Sequence, residues 1–277
     1  MRKATESVTL RKLKQYLGPP MPKNNPKVAF LDVETTGLDS TVDEVIEIGY
    51  IIVRYSPDNG QLGGTVKRRD YLGEPHAALS ETIQIITGLT DEDLKGKKIP
   101  WDDVVKDLQD VDFIVAHNAA FDRAFCEKYA HEFRNIPWAD SLTQVDWLLQ
   151  GHTASRSLEL LCLHLAGCVY DSHRALADAE ALAYLLNRRM ISDPDKTYFS
   201  SLLAAHQAPF YLLTAYNAPF GLKDGMKARG YRWNPTLRAW QFSGPDVESE
   251  ITWLKGQIGS SYAPRVETIP ATDRFRR

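Results

Sequence analysis

An apolar run that ends in two carboxylates most strongly constrains the fold of this chain. Val28–Leu31 is short and uninterrupted, as expected of a strand buried in the middle of a sheet. Asp32 and Glu34 follow at a spacing of two, so on a strand both side chains point to the same face. Gly37 then favours a turn. The sequence therefore predicts a buried strand that carries a pair of carboxylates at its C-terminal end.

A further acidic residue, Asp122, is expected near the start of a helix. Val111–Ala116 favours another buried strand, and His117–Asn118 would form the turn that follows it. Aromatic residues then recur at helical spacing, at Phe121, Phe125 and Tyr129. Taken alone, Asp122 is also explained as a negative charge that stabilises a helix N-terminus.

A third segment pairs a histidine with a carboxylate. Ala175–Leu186 is rich in Ala and Leu and predicts the clearest helix of the chain. Asp178 lies in its first turns, and His173 precedes Asp178 by five residues, about 140° around an uninterrupted helix. We therefore expect His173 on the loop that enters the helix, where an ordinary histidine pKa near 6.5 suits a general base. Taken alone, it is equally a surface histidine.

Four carboxylates brought together suit the hydrolysis of a phosphodiester. Two divalent ions about 3.5–4 Å apart stabilise negative charge on the attacking and leaving oxygens at the same time. Mg²⁺ prefers oxygen ligands and is commonly held by a few carboxylates. Without such ions the carboxylates would repel one another, and their pKa values would rise. The sequence therefore predicts a site for two Mg²⁺ or Mn²⁺ ions.

The three segments Asp32–Leu38, His117–Asp122 and His173–Asp178 resemble, in order and spacing, the motifs of the DEDDh (DnaQ-like) 3′–5′ exonucleases. That family includes the proofreading epsilon subunit of bacterial replicative DNA polymerase. The resemblance covers residues 28 to 190. It implies an α/β, RNase H-like exonuclease fold, a mixed sheet with flanking helices. It also implies release of nucleoside 5′-monophosphates from DNA 3′ ends.

The resemblance also implies roles for individual residues. The metal ligands and general base would be Asp32, Glu34, Asp122, Asp178 and His173. Asp32 would bridge the two ions, Glu34 and Asp178 would complete the first position, and Asp122 would hold the second. Substrate contacts would come from Thr35, Thr36, Gly37, Leu38, Asn118 and Phe121. Leu38 and Phe121 would flank the terminal base, although ordinary core packing also explains both.

DNA, degraded from single-stranded 3′ ends, is the favoured substrate, because Glu34–Leu38 is most similar to the DNA-directed members of this family. An exoribonuclease that trims RNA by the same chemistry is one alternative. The other is an accessory subunit with a slow nuclease, whose function is to bind nucleic acid or protein. A replication or repair protein is a possible partner in either case.

Composition narrows the cellular context. No apolar stretch reaches the 18 residues of a membrane span, and the N-terminus lacks the apolar core of a secretory signal, so no membrane association is expected. Three cysteines, Cys126, Cys162 and Cys168, form no C-x-x-C pair. Buried reduced thiols in a cytoplasmic protein are the simplest account.

Charge and turn residues divide the chain into three parts. Residues 1–27 carry seven Lys/Arg against one acid, residues 28–191 carry 15 against 27, and residues 192–277 carry 11 against 8. We interpret these parts as a basic N-terminal extension and linker, with a short amphipathic helix over residues 1–17, a DEDDh exonuclease domain, and a small aromatic-rich α+β domain with a polar tail from residue 264. The basic flanks would attract phosphates.

The last part contains a cationic and aromatic segment without a recognisable motif. Tyr231–Phe242 is expected to form a hairpin that interleaves Arg232 and Arg238 with Trp233 and other rings. Its rings are explained first as the core of a very small domain. Nucleic-acid binding by base stacking and protein docking are the alternatives.

Overall fold

The computed structural model describes residues 10–148 and 155–276, which divide into two compact units. The first comprises the described residues up to His206 together with Phe275 and Arg276, and the second is Gln207–Arg274. The first unit extends beyond residue 191 because Tyr198, Phe199 and Leu202 are buried in its core. None of the described helices has the length and apolar character needed to cross a bilayer.

The first unit contains seven strands and eight α-helices among the described residues. In chain order they are β1 (Arg11–Lys12), β2 (Lys27–Thr35), β3 (Val45–Tyr55), β4 (Leu62–Leu72), α1 (Glu81–Thr87), α2 (Asp91–Leu94), α3 (Trp101–Leu108), β5 (Phe113–Ala116), α4 (Ala119–Tyr129), β6 (Trp138–Asp140), α5 (Ser141–Gln144), α6 (Leu158–Leu161), β7 (Cys168–Val169), α7 (Ala175–Leu186) and α8 (Tyr198–Gln207). A π-helical turn, Cys162–Ala166, continues α6.

A five-stranded mixed sheet of order β4-β3-β2-β5-β6 forms the centre of this unit. β2, β3 and β4 are antiparallel neighbours, whereas β5 and β6 run parallel to β2. Val28 and Phe30 face a core shared with α7 and α8, and Ala29 and Leu31 face a second core shared with α3 and α4. Burial on both faces explains why the apolar run does not alternate with polar residues. The predicted mixed α/β architecture is confirmed.

Several predicted elements have different bounds in the structure. The predicted helix over residues 1–17 is wrong for residues 10–17, because Arg11–Lys12 is a strand parallel to β7 and Tyr16 is buried in the core. Residues 1–9 lie outside the described residues. β6 had no predicted counterpart. The cysteines are confirmed as buried free thiols.

The second unit is a small α+β unit. It contains β8 (Tyr211–Ala215), α9 (Lys223–Ala228), β9 (Arg232–Asn234), β10 (Ala239–Gly244), α10 (Glu248–Ile258) and β11 (Arg265–Thr268). The strands form an antiparallel sheet of order β11-β8-β10-β9, which confirms the predicted hairpin. The segment from residue 264, expected to be a polar tail, is ordered in part: residues 265–268 pair with β8, and Phe275 packs against a core of the first unit.

Candidate active site

The carboxylate pair lies where β2 reaches the end of the sheet. Val33 and Thr35 are buried on one side of the strand, so Asp32 and Glu34 project together from the other. Gly49 is paired with Asp32 in the neighbouring strand β3. A Cβ atom on Gly49 would lie 2.0 Å from the backbone nitrogen of Leu176. A glycine is therefore required for α7 to approach the sheet beside Asp32.

That close approach carries Asp178 to the carboxylate pair. Asp178 lies in the first turn of α7, where its Oδ2 accepts a 3.1 Å hydrogen bond from the backbone N–H of Arg174. Its Oδ1 accepts a 2.8 Å hydrogen bond from the hydroxyl of Tyr170. These two bonds fix the rotamer of a carboxylate that is also constrained by its helix.

Asp32, Glu34 and Asp178 converge, each offering one carboxylate oxygen within 4.8 Å of the others. Burial, followed by repulsion from Asp122 and Asp178, raises the pKa of Asp32 well above its usual value. Burial and the Asp178 charge raise the pKa of Glu34 to about 8. Burial also raises the pKa of Asp178, although hydrogen bonding from Tyr170 opposes the shift. The protein groups around these three carboxylates do not fully neutralise their negative charge.

Asp122 lies outside this group of three among the described acidic side chains, on the first turn of α4. It is buried, and its Oδ1 accepts a 3.2 Å hydrogen bond from the backbone N–H of Val33, between the two β2 carboxylates. Burial raises the pKa of Asp122 to about 8, against the effect of that hydrogen bond. Asp122 thus contacts the strand that carries Asp32 and Glu34, and its charge acts on Asp32.

The turn before Asp122 is held from the neighbouring strand. Asn118 adopts the left-handed conformation, with φ of 92°. The Oδ1 atom of Asp140, at the end of β6, accepts hydrogen bonds from the backbone N–H groups of Asn118 at 2.9 Å and Ala119 at 3.1 Å. Asp140 therefore caps the start of α4 and sets the position of Asp122.

His173 is exposed on the loop before α7, with φ of 62°. The next residue, Arg174, forms an ion pair with Glu47 of β3 at 2.8 Å, and the Glu47 side chain has no solvent exposure. The backbone N–H of Ala175 donates to the other Glu47 oxygen at 3.1 Å. The histidine loop is therefore fixed to the sheet immediately after His173.

The predicted substrate-contacting residues adjoin the carboxylates in sequence but differ in exposure. Thr35 is buried, and its hydroxyl donates a 2.6 Å hydrogen bond to the carbonyl of Gly37. The Thr36 hydroxyl accepts a 2.9 Å hydrogen bond from the backbone N–H of Glu44. Leu38 is 82% exposed and so does not belong to the core, whereas Phe121 is half-buried beside Phe125.

Four residues around the site were not found from the sequence: Glu47, Arg174, Tyr170 and Asp140. One feature of the sequence could have indicated Glu47: it is the single acid in the apolar run Val45–Val53, and a buried carboxylate requires a partner. The partners themselves come from distant parts of the chain. Their identities depend on how α7 and β6 pack against the sheet.

The donor set at the site fits a divalent cation. Three carboxylates supply oxygen ligands within 4.8 Å of one another. Burial, together with repulsion among these groups, raises the pKa values of Asp32 and Glu34. Oxygen-rich, anionic sites of this kind suit Mg²⁺ or Mn²⁺ rather than softer metals.

Comparison with known proteins identifies the class. The family model described as Exonuclease (RNase_T) matches residues 29–186, more than half of the chain. The chain therefore belongs to this exonuclease family, and the predicted family resemblance is confirmed. Residues 29–186 form a 3′–5′ exonuclease domain.

Similar sequences come from bacterial DNA polymerases. DNA polymerase III PolC-type of Oceanobacillus iheyensis is 36% identical over 162 residues, which is 56% of this chain and 11% of that protein. The Bacillus subtilis PolC-type polymerase is 32% identical over 170 residues, 58% of this chain and 11% of that protein. The chain spans about a tenth of the length of these relatives.

A solved structure is similar in fold. The zinc-bound E. coli ExoI–ssDNA complex matches with a TM-score of 0.52 and 15% identity, covering 90% of this chain and 64% of that chain. At this identity the likeness describes the fold, which is RNase H-like as predicted.

Proposed function

We propose that the protein is a metal-dependent 3′–5′ exonuclease that releases nucleoside 5′-monophosphates from DNA. The observation that carries this proposal is the convergence of Asp32, Glu34 and Asp178 within 4.8 Å, in a chain of the exonuclease family. Asp32, Glu34 and Asp178 would hold one Mg²⁺ or Mn²⁺ ion, and Asp32 with Asp122 would hold a second. Such ions, when bound, stabilise negative charge on the attacking and leaving oxygens of the phosphodiester.

The protein residues orient the reactants and move the proton. His173, on a loop fixed through Arg174, takes the proton from the attacking water. Its exposure and its position before α7 leave the imidazole accessible to solvent and substrate. General bases of this kind contribute about 10²–10⁴ to the rate.

The terminal nucleotide would occupy the surface beside the first motif. The exposed side chain of Leu38 and the half-buried ring of Phe121 would contact the two faces of its base. The Thr35–Gly37 backbone and the Thr36 side chain would contact its sugar, and Asn118 would lie next to the metal site. These contacts would hold the scissile phosphate over the carboxylates.

DNA is the proposed substrate because the similar sequences are parts of DNA polymerase III PolC-type proteins. Those polymerases contain the matching segment within a far longer chain. A replication or repair protein is the proposed protein partner, because the relatives are polymerases. Single-stranded 3′ ends are the proposed point of attack, because unpaired termini can separate from their neighbours without breaking base pairs.

The test is degradation of matched DNA and RNA oligonucleotides labelled at the 5′ end, with Mg²⁺ and with excess EDTA. Successively shorter labelled DNA products and free 5′-mononucleotides are expected with Mg²⁺, and none with EDTA. Asp32→Ala is expected to remove turnover while the chain stays folded. Faster degradation of RNA would replace DNA by RNA as the substrate. Undiminished hydrolysis in EDTA would contradict the metal-dependent mechanism.

A further inference from the structure

The hairpin of the second unit, Arg232–Gly244, presents a tryptophan that its core does not require. The buried core of this unit is formed by Leu213, Ala215, Met226, Tyr231, Trp240, Val247 and Leu254. Trp233 is 49% exposed and lies on β9, the strand at the edge of the sheet. Its ring makes an edge-to-face contact with the core residue Trp240 at a ring-centroid distance of 5.5 Å.

The hairpin holds this tryptophan in a defined position. Trp233 is directly opposite Trp240 in the antiparallel pairing of β9 and β10. The side-chain amide of Asn234 donates a 2.9 Å hydrogen bond to Gln241 across the same pair of strands. The Asn234 side-chain oxygen accepts a 2.9 Å hydrogen bond from the backbone N–H of Leu237 in the turn. The exposed ring is therefore presented on a fixed edge, at little entropic cost to binding.

The sequence around the hairpin carries one sign of charge. Residues 225–245 contain four Lys or Arg residues and no acid. Arg229 is neutralised by Glu250 at 2.7 Å. Lys227, Arg232 and Arg238 are exposed, and within the part of the chain that the structure describes no carboxylate forms an ion pair with them.

Arg232 and Arg238 lie on the same hairpin as a fixed, half-exposed ring. Exposed cations and a ring on one hairpin are complementary to a polyanion with accessible aromatic faces. Neighbouring residues of a strand point to opposite faces, so Arg232 and Trp233 lie on either side of the sheet edge. A duplex keeps its base faces stacked, whereas a single strand exposes them to a protein ring. A protein partner would have to present an acidic surface of its own to these cations, whereas every nucleic-acid strand carries phosphates.

We propose that the hairpin binds single-stranded nucleic acid, with Trp233 stacking on a base and Arg232 and Arg238 contacting phosphates. The identity of the polyanion rests on the proposed function, since the first unit would hydrolyse the same strand. The hairpin would retain the strand independently of the terminal nucleotide. Binding would be tolerant of sequence, because every base offers an aromatic face.

The experiment measures binding of the full chain to a long oligothymidine by fluorescence anisotropy, in chelator and over a series of salt concentrations. Trp233→Ala is expected to weaken binding by about 10-fold or more. Loss of two phosphate contacts in the double variant R232Q/R238Q is expected to lower the slope of log Kd against log salt by about 1.4. Phe220→Ala and Lys255→Gln, an exposed ring and an exposed cation outside the hairpin, are the matched controls and should leave binding unchanged.

Hydrolysis of a trinucleotide with Mg²⁺ separates this proposal from the proposed function. Trp233→Ala and R232Q/R238Q should hydrolyse it at the wild-type rate. If the wild-type chain hydrolyses nothing but binds the long strand, and both hairpin variants bind it more weakly, the proposed function fails and the hairpin proposal stands. If hydrolysis is normal and both hairpin variants bind with wild-type affinity and salt slope, the hairpin proposal is overturned and a protein partner fits the surface instead. Should Trp233→Ala unfold the second unit, the exposed arginines of the double variant decide the outcome.

Discussion

Arg174 and Glu47 form an ion pair that ties the loop of the candidate general base to the central sheet. The Arg174 Nη2 atom lies 2.8 Å from Glu47 Oε1, and its Nε lies 3.1 Å from both carboxylate oxygens. Glu47 is fully buried on β3, directly opposite Glu34 of β2. The same pair therefore adjoins the carboxylate group on one side and His173 on the other.

Arg174→Gln should lower both stability and turnover. It leaves the buried carboxylate of Glu47 without its cation, a loss of about 3–5 kcal/mol for a fully buried pair. A loss of stability near the lower end of this range is expected, because the Arg174 side chain is 41% exposed. Displacement of His173 should also slow single-turnover cleavage of a short oligonucleotide by about 10-fold or more. Urea denaturation and rapid-quench kinetics measure the two effects.

Arg68→Gln is the matched control for that variant. Arg68 pairs at 3.0 Å with Glu180, a carboxylate with 3% exposure on the same helix α7. The Arg68→Gln variant should lose comparable stability yet keep its cleavage rate, because Arg68 does not hold the loop that carries His173. Equal slowing by both variants would mean that loosening of α7, rather than the position of His173, limits the rate.

His173→Ala should lower the chemical rate by about 10²–10⁴, the usual contribution of a general base. Oligonucleotide binding should be largely retained, because the carboxylates and the Leu38 surface are unchanged. His131→Ala removes another exposed histidine of the same unit and serves as the control. A His173→Ala enzyme with full activity at neutral pH would require a different base.

The elements that carry the four motif carboxylates could be predicted from the sequence. Most of the residues that hold those elements in place could not. Asp32, Glu34 and Asp178 could be placed because strand periodicity and a helix rich in Ala and Leu are local signals. Arg174 and Glu47 are far apart in the chain, and their contact exists only because α7 approaches β3 over Gly49. The strand at Arg11–Lys12 was missed for the same reason, since its backbone partner is β7.

The metal-free protein should lose stability as pH rises from about 4 to about 8. Glu34 and Asp122 have pKa values of about 8 in the folded protein. Unfolded carboxyls titrate near pH 4. The folded state therefore binds more protons in this interval, and linkage makes the free energy of unfolding fall as those protons are lost. Urea midpoints in EDTA between pH 5 and pH 8 measure the effect, and Mg²⁺ should reduce it.

Asp122→Asn tests whether a buried negative charge lowers stability, because asparagine has nearly the same shape as aspartate but no charge. An asparagine oxygen can still accept the hydrogen bond from the backbone N–H of Val33, but the buried negative charge is removed. In EDTA at pH 8 this variant should be more stable than the wild type, and the difference should shrink at pH 5. Asp193→Asn, at an exposed acid whose pKa is lowered by its hydrogen bond to Lys196, should give no such gain. Urea midpoints that rise with pH in the wild type would contradict the prediction.

The position at which the first unit can be cut is set by α8. A boundary at residue 191 suggests ending the chain near Asp195, but Phe199 packs at ring-centroid distances of 5.4 Å from Tyr55 and 6.2 Å from Phe113. Tyr198 and Leu202 are buried beside it. Removal of a single buried Phe side chain costs about 3–5 kcal/mol, comparable with the total stability of many domains.

A chain ended after Asp195 should therefore fail to fold, whereas one ended after Gln207 should unfold cooperatively and still cleave a short oligonucleotide. Near-ultraviolet circular dichroism and turnover distinguish the two. Both truncations also remove Phe275, which packs against the other core of the first unit, so full-length Phe275→Ala measures that contribution separately. A stable, active protein ended at Asp195 would show that α8 is not required by the core of the first unit.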